Sequence, residues 1–255
     1  MTTTTYPLAP ISGEQHPLRF STLTSVELRK MTDTRSGRWL LASILALVAG
    51  VLAWKVAHPS IEVSFHNYGG AAATVVAFLA PIIGLLAMTS EWTQRTALTT
   101  FTLAPRRGPV IAAKYIASVV MSLGILAIAL LLAGVFNIIG GAIHGNGSFG
   151  AMPSDVRSFV IVVVLQVTMA AAFGLLAGQT PVAITTFLVA PTAWAALSSN
   201  VFKSASPWFD VFSGYDRLSS TQPLAHIGQT VTAVGLWVVL PSVLGIVRSL
   251  RREVK

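Results

Sequence analysis

The residues able to do chemistry are few. Charged side chains make up 10% of the 255 residues, and cysteine is absent, which rules out disulfides and thiolate metal sites. His16, His58, His66, His144 and His226 are scattered over polar stretches without metal-ligand spacing. No phosphate-binding loop of the form GxxxxGK(S/T), no HExxH and no GxSxG occurs, so no catalytic residue and no metal ligand is assigned. The one long polar interruption within the apolar part of the chain is Glu91–Lys114, EWTQRTALTTFTLAPRRGPVIAAK, with Arg95, Arg106 and Arg107 inside it. The chemistry of such a segment is recognition of a partner surface or of lipid headgroups.

The elements positioning that segment are membrane spans. The chain is 53% hydrophobic with mean hydropathy +0.71. Several uncharged stretches exceed the roughly 20 residues that cross a bilayer as a helix. The expected fold is an all-α polytopic membrane protein. Residues 1–17 read as a disordered tail and 18–255 as a domain with spans at about 39–57, 71–90, 115–139, 158–177, 182–197 and 229–247. The N-terminal stretch lacks the pattern of a cleavable signal peptide. Gly69-Gly70 falls in an expected outer loop as a hinge pair, and GGAIHGNGSFG reads as a flexible outer loop. Gly174-x-x-x-Gly178 permits close helix approach, Gly178-Gln-Thr-Pro181 reads as a tight turn, and the aromatic stretch 200–227 suits short interfacial helices.

Charge placement orients this six-span order. Of the 17 Lys and Arg residues, only Lys55, Arg157, Lys203 and Arg217 fall on one face, and the rest gather on the other. The positive-inside rule puts both termini and Glu91–Lys114 in the cytoplasm, and it assigns the net charge of +8 to topology rather than to nucleic acid. Span interiors carry no acid or base, only groups such as Asn137, Gln166, Thr168, Thr185 and Thr186, so no energy source for transport is visible in this polypeptide.

Two flanking segments are amphipathic. LRFSTLTSVELRKMTDTRSGRW interleaves apolar residues with Arg19, Glu27, Arg29, Lys30, Asp33, Arg35 and Arg38, as an interfacial helix before the first span would. EWTQRTALTTFTL sets Trp92, Ala97, Leu98, Phe101 and Leu103 among polar residues, a pattern for a short helix along the membrane face, with Thr89 or Ser90 as its cap. Arg106, Arg107 and Lys114 would then form a basic cluster at headgroup level.

These features together resemble the permease subunit of an ABC exporter of the type-2 (ABC-2) class, in its actinobacterial form. VELRKMTDTRSGRWLL resembles that family's N-terminal motif, and MTSEWTQRTALTTFTLAPRRGPVIAAK resembles its signature after the second span. The family's usual Gly-Thr after the acid–aromatic pair is replaced by Arg95-Thr96. The resemblance implies a half-transporter in the bacterial plasma membrane. A second permease subunit, identical or homologous, would complete the path for a hydrophobic or amphipathic substrate. Two copies of a separate ATPase would carry the ATP and Mg, with no cofactor in this chain. It further implies that Glu91, Trp92, Arg95, Thr96 and Phe101 lie on a coupling helix facing the ATPase. Glu27, Arg29, Lys30 and Arg35 would lie on an elbow helix.

Two other classes compete. An intramembrane enzyme needs catalytic polar groups at membrane depth, and none is found. A non-transporting anchor or sensor that binds a soluble partner through 91–114 fits the same segment; a co-purifying ATPase separates it from the exporter.

Overall fold

Helix is the only option for a chain whose backbone groups must be satisfied inside lipid without a closed barrel. The computed structural model describes residues 19–58, 62–93, 107–145, 147–150, 152–220, 222 and 224–251. In chain order these form α1 (Phe20–Asp33), α2 (Arg35–Ala57), α3 (Phe65–Thr93), α4 (Arg107–His144), α5 (Met152–Ala177) and α6 (Thr180–Val201). The short α7 (Ser206–Phe209) and α8 (Val211–Ser219) follow, then α9 (Ile227–Val234), a π-helical turn at Gly235–Val239 and α10 (Leu240–Arg251). Among the described residues the only β pairing is an isolated bridge, Ser64 to Ser148. Helices α2 to α6, with the run Ile227–Arg251, give six segments long and apolar enough to cross a membrane. The chain is a multi-pass helical membrane protein, as its composition predicts.

The helices outrun the apolar windows that mark them. Span two begins at Phe65 rather than near 71, so Gly69-Gly70 lies inside α3 and is no loop hinge. Gly69 is accommodated there because a Cβ would meet the rings of Phe65 and Phe159 at 3.2 and 3.3 Å. Span three begins at Arg107 and runs to His144, which takes the first half of the expected GGAIHGNGSFG loop into helix. At its other end α3 continues through Glu91 to Thr93, so Thr89 and Ser90 are helix interior and cap nothing. Polar residues extend a helix past its apolar window when their side chains find partners, as Glu91 does below.

Helix α5 is the hub, packed against α3, α4, α6, α8 and α10. In lipid no hydrophobic force drives helices together, so backbones must approach closely. Reciprocal glycines permit this: a Cβ on Gly84 of α3 would lie 2.9 Å from the Val167 carbonyl oxygen, and one on Gly174 of α5 would lie 2.9 Å from that of Leu85. Between these contacts Ala170, Ala171 and Ala172 are fully buried. The expected close approach at Gly174 is present. Gly178 instead takes φ +66°, ending α5 in the left-handed conformation before Pro181 opens α6. Gly174→Ala is expected to cost about 1–3 kcal/mol by overpacking against a backbone carbonyl. Thermal unfolding in detergent checks this against Gly124→Ala, where a Cβ would have nothing within 4 Å.

The stretch 200–227 contains two short helices, as its pattern suggests. Asp210 caps α8, accepting from the amides of Phe212 and Ser213 at 3.0 and 3.2 Å. Arg217 donates to Thr230 Oγ1, Gln229 Oε1 and the Pro207 carbonyl, which fastens α8 to α7 and α9. At this end His66 Nδ1 lies 3.0 Å from Asp155 Oδ1 and His144 Nε2 lies 2.8 Å from the Val56 carbonyl oxygen.

Candidate functional site

At the opposite end of the bundle, two acids and two bases converge from three helices. Glu27 lies on α1, one turn before Lys30, a spacing that faces both side chains the same way. Glu91 is in the last turns of α3, and Lys114 is two turns into α4. The Lys114 ammonium sits 3.0 Å from Glu27 Oε2, 3.1 Å from Glu91 Oε1 and 3.0 Å from the Ala87 carbonyl oxygen. Three donors meet three acceptors, which is the full capacity of an ammonium. Lys30 completes the cluster at 2.7 Å from Glu27 Oε1 and 3.5 Å from Glu91 Oε1.

Burial separates the two lysines. The Lys114 side chain is 4% exposed, and those of Glu27 and Glu91 are 7% and 8% exposed, whereas Lys30 is 45% exposed. Formal charge cancels, two against two, so the cluster can sit beneath the membrane face without a net buried charge. Removing one of its three buried members, Glu27, Glu91 or Lys114, leaves an uncompensated charge and costs about 3–5 kcal/mol. The cluster's mechanical meaning follows: α1, the end of α3 and the start of α4 are pinned at one point. Segment 94–106 leaves from α3 and returns to α4, so both of its roots are held by the same lysine.

Desolvation opposes the charge on Lys30, but hydrogen bonds and attraction from Glu27 and Glu91 outweigh it and hold the ammonium above its ordinary value of 10.5. A raised folded-state value means the stabilisation is fully present below 10.5 and disappears only as pH climbs through the folded value. The difference in unfolding midpoint between the wild type and Lys30→Met is expected to be constant from about pH 7 to about pH 9 and to shrink above 10.5. Its size is about 1 kcal/mol or less, because Lys30 is half exposed. Unfolding midpoints measured across that pH series check both statements.

Neighbouring contacts brace the same end. Thr180, at the start of α6, joins its hydroxyl to Thr89 at 2.8 Å and to Thr93 at 3.1 Å, tying α6 to the last turns of α3. Arg107 donates to the Ser249 carbonyl at 2.9 Å and Arg248 to that of Leu176. Each arginine thereby serves a carbonyl near a helix C-terminus, where positive charge is favourable.

The residues singled out in the sequence thus divide. Glu27, Lys30, Glu91 and Lys114 are brought together, but Glu91 belongs to the end of a spanning helix and its carboxylate faces inward. Lys114 is a buried bridge and no part of a headgroup-level basic cluster. Arg29 and Arg35 are exposed on and just after α1. Arg95, Thr96, Phe101 and Arg106, with most of the expected coupling helix and the tail 1–17, lie outside the described residues, as does the side chain of Trp92. The role of Lys114 escaped sequence reasoning because its partner Glu27 is 87 residues away. The readable signal was the Glu27–Lys30 spacing.

Among the described residues no group of three His, Asp or Glu side chains is placed to hold a metal ion. A cavity of about 410 Å³ lined by Asp216, Arg217, Ser220, Gln222, Ala225 and His226 lies at the far end, remote from the cluster. No family model, no curated protein and no solved structure matches the chain.

Proposed function

We propose that this chain is the membrane-spanning permease subunit of an ABC exporter of the ABC-2 class, lodged in the bacterial plasma membrane with both termini cytoplasmic. The observation that carries the reading is the Lys114 bridge, which joins Glu91 and Glu27 at the roots of segment 94–106. A segment built to receive motion from a soluble motor needs its two roots rigidly held, so that force reaches several spans together.

In this reading α1 is the elbow helix and segment 94–106 contains the coupling helix. Two copies of a separate ATPase, carrying ATP and Mg, dock beneath two permease subunits, identical or homologous. Closure of the ATPases displaces segment 94–106. Because separating Lys114 from either carboxylate would strand a buried charge, α1, α3 and α4 follow as one body. The close α3–α5 packing carries the displacement into the hub helix. A hydrophobic or amphipathic cargo passes along the interface between the permeases. The chain itself has no enzymatic activity and no cofactor.

Co-expression with any neighbouring reading frame that encodes a phosphate-binding-loop ATPase, followed by affinity purification in mild detergent, tests the assignment. The expected particle contains two permeases and two ATPases and hydrolyses ATP. A stable particle that excludes the co-expressed ATPase would overturn it. An anchor or sensor that binds a soluble partner would yield a complex without ATP-dependent transport in proteoliposomes.

A further inference from the structure

The basic side chains at the cluster end do not all have work inside the protein. Lys114 and Lys30 serve Glu27 and Glu91, and Arg107 and Arg248 serve helix carbonyls. Arg29, Arg35 and Arg38 are different. All three are exposed, and none forms an ion pair or a side-chain hydrogen bond among the described residues. Among the described residues their exposed acidic neighbour in sequence, Asp33, pairs with none of them.

Two of these arginines also stand in a helix turn without an acidic partner. Arg35 and Arg38 occupy the first turn of α2, which contains no acidic residue. The positive end of the α2 dipole is met there by the negative C-terminal end of α1, with only Thr34 between the two helices. The Thr34 hydroxyl accepts from the Gly37 amide, which neutralises nothing. Three formal positive charges therefore stand at the α1–α2 corner against the one of Asp33, and no described residue pairs with them.

The location specifies the partner. The corner is the entry of the first membrane span, and the next residue, Trp39, is 74% exposed. An exposed indole at a span entry lies at the boundary of headgroups and acyl chains. Phe20 and Val26 on α1 are each 44% exposed and add apolar surface for the same boundary. Guanidinium groups engage phosphate oxygens in pairs, which lysine does not.

We propose that Arg29, Arg35 and Arg38, with Trp39 setting the depth, form a binding site for the phosphate of an anionic phospholipid. This does not depend on what the chain transports; it requires only that α2 cross a membrane. The bound lipid counters the charge at the corner and holds α1 against the membrane face.

The test uses the full chain in detergent micelles doped with phosphatidylglycerol or with phosphatidylcholine, and measures lipid retained per protein after washing together with the unfolding midpoint. Wild type is expected to retain phosphatidylglycerol selectively and to be stabilised by it. The triple variant R29Q/R35Q/R38Q should bind it about tenfold or more weakly. R251Q, which removes an exposed arginine from the same end of the bundle, should retain it. If the triple variant fails to fold, the pair R35Q/R38Q carries the same expectation. Equal retention by the triple variant and the wild type would overturn the site. So would an equal loss in R251Q, which would mean a diffuse charge effect. Stabilisation of the same size by inorganic phosphate alone would mean that a free anion, not a lipid, occupies it.

Discussion

Lys114→Met is expected to lower the stability of the folded protein by about 3–5 kcal/mol, the largest effect of any single side chain at the cluster. The substitution keeps volume but leaves Glu27 and Glu91 sharing the half-exposed Lys30, one negative charge in excess, and it frees the Ala87 carbonyl of a partner. Pairing it with Glu91→Gln restores neutrality and leaves a Glu27–Lys30 pair. The double variant should therefore recover much of the loss, with a coupling energy of about 1–3 kcal/mol between the two sites. Chemical denaturation in detergent of the four members of this cycle gives the number. A single-variant cost within about 0.5 kcal/mol of zero, the range of ordinary surface changes, would show that the lysine is no bridge.

Gly37→Ala is expected to strain the corner between α1 and α2, with the greatest effect on α1. A Cβ at position 37 would penetrate the Met31 carbonyl oxygen and lie 2.8 Å from Thr34 Oγ1. Only Thr34 separates α1 from α2, so the corner has no slack to absorb it. Overpacking of this kind costs about 1–3 kcal/mol where neighbours can yield, and here the obstacle is backbone. Hydrogen exchange reports the result locally: amides of 20–33 should lose protection, while those of α3 and α5 should keep theirs. Gly50→Ala, where a Cβ meets nothing within 4 Å, should change neither. Unchanged protection of 20–33 would mean that the corner has room for a Cβ.

The architecture was legible because membrane spans advertise themselves through apolar length, and because arginines and lysines mark one face. Helices α2 to α6 and the last span all stand where the hydropathy placed them. Their ends were less legible, since a polar residue such as Glu91 stops an apolar window but does not stop a helix when it has a partner. The turn at Gly178 was readable from glycine followed by proline. The π-helical turn at Gly235–Val239 had no local signal; within it Trp237 donates its indole N–H to the Phe209 carbonyl, a contact between distant residues. The cluster was half readable. Glu27 and Lys30 share a helix face by spacing alone, and Glu91 and Lys114 bracket one polar stretch. That these two pairs meet depends on how α1 lies against α4, which no local pattern encodes. Lysine at the start of a span ordinarily reaches for headgroups, so Lys114 carried the wrong local expectation.

The most direct test of the proposed transmission is the ratio of substrate exported to ATP hydrolysed in proteoliposomes containing the permease with its ATPase, comparing wild type with Glu91→Gln. Glutamine keeps the shape but removes the charge that holds Lys114 to the end of α3. The expectation is that the variant assembles, hydrolyses ATP at a rate near that of the wild type, and exports about tenfold less per ATP, as a loss near 1.4 kcal/mol of coupling would give. An unchanged ratio in a correctly assembled variant would contradict the reading that motion passes through the Glu91–Lys114–Glu27 bridge.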